Sequence, residues 1–377
     1  VFAMTVADAA EATAVAQGYD ADDFLSRTLP AAGVAPMPPK IVVGVPKPDQ
    51  RAFFGDAKSQ KAYEADLVSL AALGATVREI DFEPFFAVAR LLYEGPWVAE
   101  RYHAIRAIME EVPEILHPVT RQIIGSATRF TAVDAFDATY RLASMRRKVE
   151  PILAGLDCLA VPTVPAFYTV AQVEADPVAL NSNLGTYTNF VNLLDLAAIS
   201  VPVGERDDGL PSSLTLIGKA GSDARLAGYA AALEAGARPE SVPAMPDGSI
   251  AIAVVGAHLS GMPLNHELTS RNATFLRAAD TTADYRLYAL AGTVPPKPGL
   301  LRVEKGTGER IAVEIWALSP EGFGTFVAGI PSPLGIGTLA LEDGASVKGF
   351  LVEPEAVKGA RDISSYGSWR AFMAAGS

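Results

Sequence analysis

The apolar run Ile41-Val42-Val43-Gly44-Val45 interrupts a polar, proline-rich stretch and predicts a short strand buried on both faces. Tyr63, Leu67, Leu70 and Leu73 follow at three- and four-residue spacing, the stripe of an amphipathic helix that Gly74 is placed to end. Thr76-Val77-Arg78-Glu79-Ile80 then predicts a second strand. Strand, helix and strand at this spacing form a βαβ unit with a parallel pair. Upstream, an Ala-rich helix runs from Thr5 to Gly18. Downstream, 82–155 is helical in pattern, 158–164, 198–203 and 212–217 predict further strands, and 223–234 a helix capped by Ser222 or Asp223. Residues 1–235 read as α/β.

The pattern changes at 236–249, where three prolines and two glycines in fourteen residues cannot hold a regular element and predict a linker. From 250 the apolar runs are short and separated by glycines and prolines, at 250–255, 285–290, 311–316, 337–341 and 347–352. They predict a smaller α+β or mostly β domain over 250–377. A length of 377 residues suits this division into two cores.

Half the residues are hydrophobic and 20% charged, enough to bury a large core. The net charge of −12 repels a phosphate backbone, so no nucleic acid is expected as a partner. The basic cluster Arg146-Arg147-Lys148 reads as a solvated helix face, and Lys40 and Lys219 as solvated strand-edge residues. No apolar run approaches the length of a membrane span, so no membrane contact is expected. Cys158, the lone cysteine, sits in an apolar run and reads as a small buried hydrophobe, compatible with a reducing cytoplasm. The four histidines show no metal-ligand spacing and no Gly-rich phosphate loop is present, so neither metal nor cofactor is expected. The chain opens at Val1 with neither an initiator Met nor a signal-like charge pattern, which reads as the interior of a longer protein.

The segment 189–204, with Ile199-Ser200-Val201-Pro202-Val203-Gly204, then Gly209-Leu210-Pro211 and Leu214-Thr215-Leu216-Ile217-Gly218, resembles the C-terminal part of an amidase-signature enzyme. Pro162-Thr163-Val164-Pro165 is similar to another feature of that family. The resemblance implies a mixed sheet flanked by helices, here incomplete.

Tyr93-Glu94-Gly95-Pro96-Trp97-Val98-Ala99-Glu100-Arg101 resembles the allophanate hydrolase branch, which implies that Tyr93 and Arg101 hold a substrate carboxylate. Eight residues is a little over two helical turns, so both side chains can leave one helix on roughly one face. A guanidinium fork and a phenol are suited to a small acid rather than a neutral amide. A core tyrosine and a surface arginine on that helix are the plain alternative. The family's serine nucleophile, activated by a second serine and a lysine, and the Gly-Ser-rich loop that forms its oxyanion hole have no match. Ser59, Ser212-Ser213 and Ser364-Ser365 lack the glycine context. In the family those motifs lie upstream of the segment resembling Val1–Asp8, so the chain alone is expected to be inactive in amide cleavage.

Val254-Val255-Gly256-Ala257-His258-Leu259-Ser260-Gly261-Met262-Pro263, Val313-Glu314-Ile315-Trp316, 330–338 and 362–369 resemble the extra C-terminal domain of allophanate hydrolases, whose fold is similar to that of γ-glutamyl cyclotransferases. The resemblance implies a part in decarboxylating N-carboxycarbamate, the product of the amide step. His258, after a strand and before a Gly-Met-Pro turn, is a candidate catalytic residue, with a histidine bonded into a turn as the alternative. Glu314, within a strand, is a second candidate acid.

The function expected is therefore that of an allophanate hydrolase of urea degradation acting on a small acidic amide, in a cytoplasmic homo-oligomer. Another amidase-signature amidohydrolase with an appended domain, or a non-catalytic assembly module, remains open.

Overall fold

In the computed structural model, which describes residues 1–30, 33–238, 245, 246 and 248–376, with backbone alone at Tyr93, each predicted strand of the first 235 residues forms. The helix α1 (Val6–Ala16) starts at Thr5, whose hydroxyl accepts the Asp8 N–H. After it come β1 (Ile41–Pro46), α2 (Ala57–Ala72) and β2 (Ala75–Ile80). Leu73 closes α2 and Gly74 turns the chain at φ +102°, the left-handed geometry that favours glycine. The helical stretch resolves into α3 (Glu83–Glu94), α4 (Val98–Ala104), α5 (Arg106–Glu111), α6 (Pro118–Gly125) and the long α7 (Ala132–Ala154). β3 (Cys158–Pro162), α8 (Val170–Ala175), α9 (Pro177–Leu184), β4 (Leu196–Glu205), β5 (Pro211–Lys219) and α10 (Asp223–Ala235) complete this part.

The chain divides into two compact units, Val42–Leu226 and Val1–Ile41 with Ala227–Ser377, so one boundary falls within α10. Residues 239–244 and 247 of the expected linker lie outside the described residues. In the first unit the strand order is β2-β1-β3-β5-β4; β1 runs parallel to β3, and β5 antiparallel to both β3 and β4. The helix α2 packs on β2, β4 and β5, and α3 on α7. Phe82, Phe85, Tyr187 and Phe190 form an aromatic centre against Leu159, Val161 and Ile217, with ring centroids 4.7 Å apart for Phe82–Phe85 and 5.1 Å for Phe85–Phe190. Each such buried ring contributes about 1.5–3 kcal/mol of hydrophobic stabilisation.

The second unit adds β6 (Ile250–Val254), α11 (His266–Thr269), β7 (Thr274–Asp280), β8 (Tyr285–Ala289), β9 (Pro298–Arg302), β10 (Ala312–Leu318), α12 (Pro320–Ala328), β11 (Leu334–Ala340), β12 (Ser346–Val352), β13 (Arg361–Asp362) and α13 (Trp369–Ala375). A five-stranded sheet runs β11-β12-β6-β10-β7, with β12 parallel to β6, beside a three-stranded antiparallel sheet β13-β8-β9. Trp316, Tyr285, Phe275, Phe326 and Trp369 anchor its core. The fold is thus a mixed α/β arrangement of sheets flanked by helices.

Several elements differ from the sequence expectation. The strands β7 and β9 and the helix α12 were not predicted. Charged and proline residues break the alternation of the two strands, and Gly322 and Gly324 dilute the helix, which begins where the Ser319 hydroxyl accepts the Gly322 N–H at 3.0 Å. Arg146, Arg147 and Lys148 are exposed, as expected of a solvated face, and the Arg146 guanidinium also donates to the Leu193 carbonyl at 2.6 and 3.1 Å. Lys219 is half-buried, and that burial lowers its ammonium pKa. Cys158 is buried, and its thiol is pushed well above the ordinary range, as expected of an inert hydrophobe.

Candidate functional site

His258 stands in the turn that leaves β6. Two hydrogen bonds fold this turn tightly, from the Leu259 N–H to the Gly256 carbonyl at 3.0 Å and from the Leu264 N–H to the Ala257 carbonyl at 2.8 Å. A side chain at Gly256 would run into the Pro298 ring, its Cβ only 2.4 Å from Cδ, so the turn's approach to β9 requires glycine. The imidazole stacks on Phe350 of β12 at 5.2 Å and meets the edge of Phe326 of α12 at 5.0 Å. Its Nε2 lies 2.9 Å from Oε2 of Glu267, in the first turn of α11.

His258, Glu267 and Phe350 line a cavity of about 140 Å³ together with Lys297, Pro298 and Ile330. Burial lowers the pKa of His258; the Glu267 carboxylate opposes that shift, and Lys297 adds to it. The imidazole is therefore neutral near pH 7, and a proton on Nε2 donates to Glu267, leaving Nδ1 as the acceptor. A small cavity with an imidazole, a carboxylate and an ammonium on its wall can bind an anion and move one proton.

Glu314 does not line this cavity. It lies on β10 opposite Val254, and its side chain is only 4% exposed. Oε1 accepts from the Ser260 hydroxyl at 2.7 Å and from Arg370 at 2.6 Å, and Oε2 from the Ser260 N–H at 2.7 Å and Trp316 Nε1 at 3.3 Å. Four donors occupy its lone pairs, which holds the carboxylate in place and leaves it poorly placed to give or take a substrate proton.

Tyr93 and Arg101 do not share a helix. Tyr93 lies in the last turn of α3 and Arg101 belongs to α4, because the chain breaks at Gly95 (φ −98°, ψ 179°), where a Cβ would stand 2.6 Å from the Leu91 carbonyl oxygen. The two-turn argument for a common face therefore fails, and the Tyr93 side chain lies outside the described residues. Arg101 is exposed. A cavity of about 320 Å³ flanks α3, lined by Phe86, Arg90 and Glu94 on the helix and by Ser182, Thr186 and Asn189 opposite; Arg101 is not part of its wall.

Residues 1–227 match the family model Amidase, and residues 250–374 match Allophanate hydrolase C-terminal domain. The first match takes in more than half of the chain. The chain belongs to the amidase family. It is 39% identical over 400 residues to the urea amidolyase of Lachancea kluyveri, and 38% to that of Saccharomyces cerevisiae, covering 99% of this chain and 22% of each relative. The solved allophanate hydrolase of Kluyveromyces lactis is 37% identical with a TM-score of 0.65, covering 100% of this chain and 65% of that one. The urea amidolyase of the same yeast gives 37% and 0.66, over 99% and 24%. The chain thus spans about a fifth of the curated relatives' length, 22% in both cases.

Two segments that carried the amidase resemblance meet in space. The Thr163 hydroxyl lies 2.8 Å from that of Ser200 and 3.0 Å from that of Thr215, joining the end of β3 to β4 and β5. Three of the serines weighed as nucleophiles are engaged by aspartates. Ser59 donates to Asp56 at 3.1 Å, Ser364 to Asp362 at 2.6 Å, and buried Ser212 to Asp66. Asp56 and Asp362 have lowered pKa values, which makes them weak bases. Glu267 and Lys297 are the cavity residues that sequence reasoning missed. Among the described residues, no cluster of His, Cys, Asp and Glu could hold a metal ion, and no helix is long and apolar enough to cross a membrane.

Proposed function

We propose that the chain serves an allophanate hydrolase of urea degradation, with residues 1–235 in the amide-hydrolysing domain, 236–249 as linker and 250–377 as the C-terminal domain. One observation carries the reading: the histidine-bearing cavity lies inside the segment that matches the allophanate hydrolase C-terminal domain. The complete enzyme takes allophanate and water to ammonia and N-carboxycarbamate. That dianion then loses carbon dioxide when its nitrogen gains a proton as the C–N bond breaks, leaving carbamate. An imidazole that first takes a proton from water at Nδ1 can pass it to that nitrogen, and Lys297 suits a carboxylate. His258 is the catalytic candidate in this scheme, Tyr93 and Arg101 grip the substrate carboxylate in the amide step, and Glu314 supports the His258 turn.

The paired sheets of 250–377 support a fold similar to γ-glutamyl cyclotransferases. The exposed stripe Val133, Phe136 and Tyr140 on α7 supports a homo-oligomer, and the lone buried cysteine a cytoplasmic setting. The engagement of Ser59, Ser212 and Ser364 by aspartates supports the reading that this chain by itself does not cleave the amide. Incubating the purified chain with allophanate tests that point: no ammonia above the blank is expected, and steady release refutes it. Supplying N-carboxycarbamate from a separate amidase tests the other half, since the chain should speed carbon dioxide release and His258→Asn should not.

A further inference from the structure

We propose that Glu314, Ser260 and Arg370 form a positioning node that fixes the turn carrying His258, so that Glu314 serves the cavity through the backbone rather than as an acid within it. The inference rests on reading His258 as the reacting group of the cavity.

Ser260 is wholly buried two residues beyond His258, and both its N–H and its hydroxyl are given to the two oxygens of Glu314. Arg370, from the C-terminal α13, donates to the same hydroxyl at 2.9 Å and to Glu314 at 2.6 Å. The Lys40 N–H reaches that hydroxyl too, at 3.3 Å. On the other side, the Asn265 side chain donates to the His258 carbonyl at 2.8 Å. The backbone is therefore pinned both at His258 and two residues after it.

The ring needs that support. Its polar partner Glu267 has a side chain 42% exposed, and a partly solvated carboxylate holds an imidazole only weakly. Stacking on Phe350 requires the turn to present the ring at one angle, and a buried, fully satisfied network supplies such rigidity. Arg370 also gives Glu314 the cation that a buried carboxylate needs. Without it the carboxylate would draw water or shift, and the turn would move with it.

Two changes break the node without altering net charge near the imidazole. Ser260→Ala removes the shared hydroxyl, and the double variant Glu314→Gln with Arg370→Gln removes both charges together. The readout is the titration of His258, followed by NMR of its ring carbons in the full chain, with Glu267, Lys297 and His266 as the charged or titratable groups facing it. Loosening the turn exposes the ring, so its titration midpoint should rise by about 0.5 pH or more in both variants. Glu342→Gln, which removes a carboxylate ion-paired with Arg310 elsewhere in the same unit, should leave the midpoint unchanged. An unaltered midpoint in a folded variant overturns the proposal, and Ser260→Ala alone decides the matter if the double variant does not fold. If the midpoint moves while the unaltered chain releases no carbon dioxide from N-carboxycarbamate, the decarboxylation reading fails and the positioning role stands.

Discussion

Arg206 in the amidase unit, which is buried, and His258 in the C-terminal unit, which is half-buried, are both held by carboxylates, yet their surroundings differ in kind. The guanidinium of Arg206, its side chain 4% exposed, forks onto Asp208 at 2.9 and 3.0 Å, donates to Asp56 at 2.8 Å and to Ser59, and lies over the Phe167 ring at 4.4 Å. These contacts tie the β4–β5 turn to the start of α2. His258 has one carboxylate partner and otherwise faces rings and a cavity. A charge satisfied all round stabilises a fold, whereas a titratable group left partly unmatched beside empty space is available for chemistry.

The comparison breaks first at Arg206. Arg206→Met strands two carboxylates, and the chain should lose about 3 kcal/mol of stability in denaturant unfolding. A loss below about 1 kcal/mol would show the network to be idle. The converse holds for the cavity. His258→Asn should lower carbon dioxide release from N-carboxycarbamate by about a hundredfold while leaving the unfolding midpoint nearly unchanged, and a large stability loss with full activity would reverse the two assignments.

Acidity sharpens the contrast. The Asp56 pKa is lowered to about 2 even though burial opposes the shift, because Arg206 and the backbone N–H groups of Ser59 and Phe167 donate to its carboxylate. Its contribution is complete above the unfolded value of 3.8 and disappears as pH falls through about 2. Acid unfolding followed by tryptophan fluorescence should show that window, and Asp56→Asn should remove it. For His258, whose folded pKa lies below the ordinary value of 6.5, the unfolded chain takes up the proton first, so stability should decline as pH drops below about 6.5. His258→Asn should flatten that decline. Smallest of all, Lys61→Ala removes an exposed pair with Asp207 and should shift the thermal midpoint by no more than about 1 °C.

Apolar periodicity made the amidase sheet legible because β1, β3 and β5 are continuous runs buried on both faces. His258 was legible for a related reason: a strand ended there and a Gly-Met-Pro turn began. Glu267 and Lys297 were not, since single charged residues in polar loops look solvated until folding brings them, nine and 39 positions downstream, to one cavity. Glu314 looked like an acid in a strand because its cation, Arg370, lies 56 residues away. The Tyr93–Arg101 spacing misled through an assumption of unbroken helix, although Gly95-Pro96 between them disfavours one.

The central claim, that the His258 cavity acts on a small carboxylated anion, is tested most directly by stopped-flow carbon dioxide release from N-carboxycarbamate generated in place. Faster release with the chain, lost with His258→Asn and reduced with Lys297→Met, is the predicted result. Release at the uncatalysed rate with the intact, folded chain would contradict it.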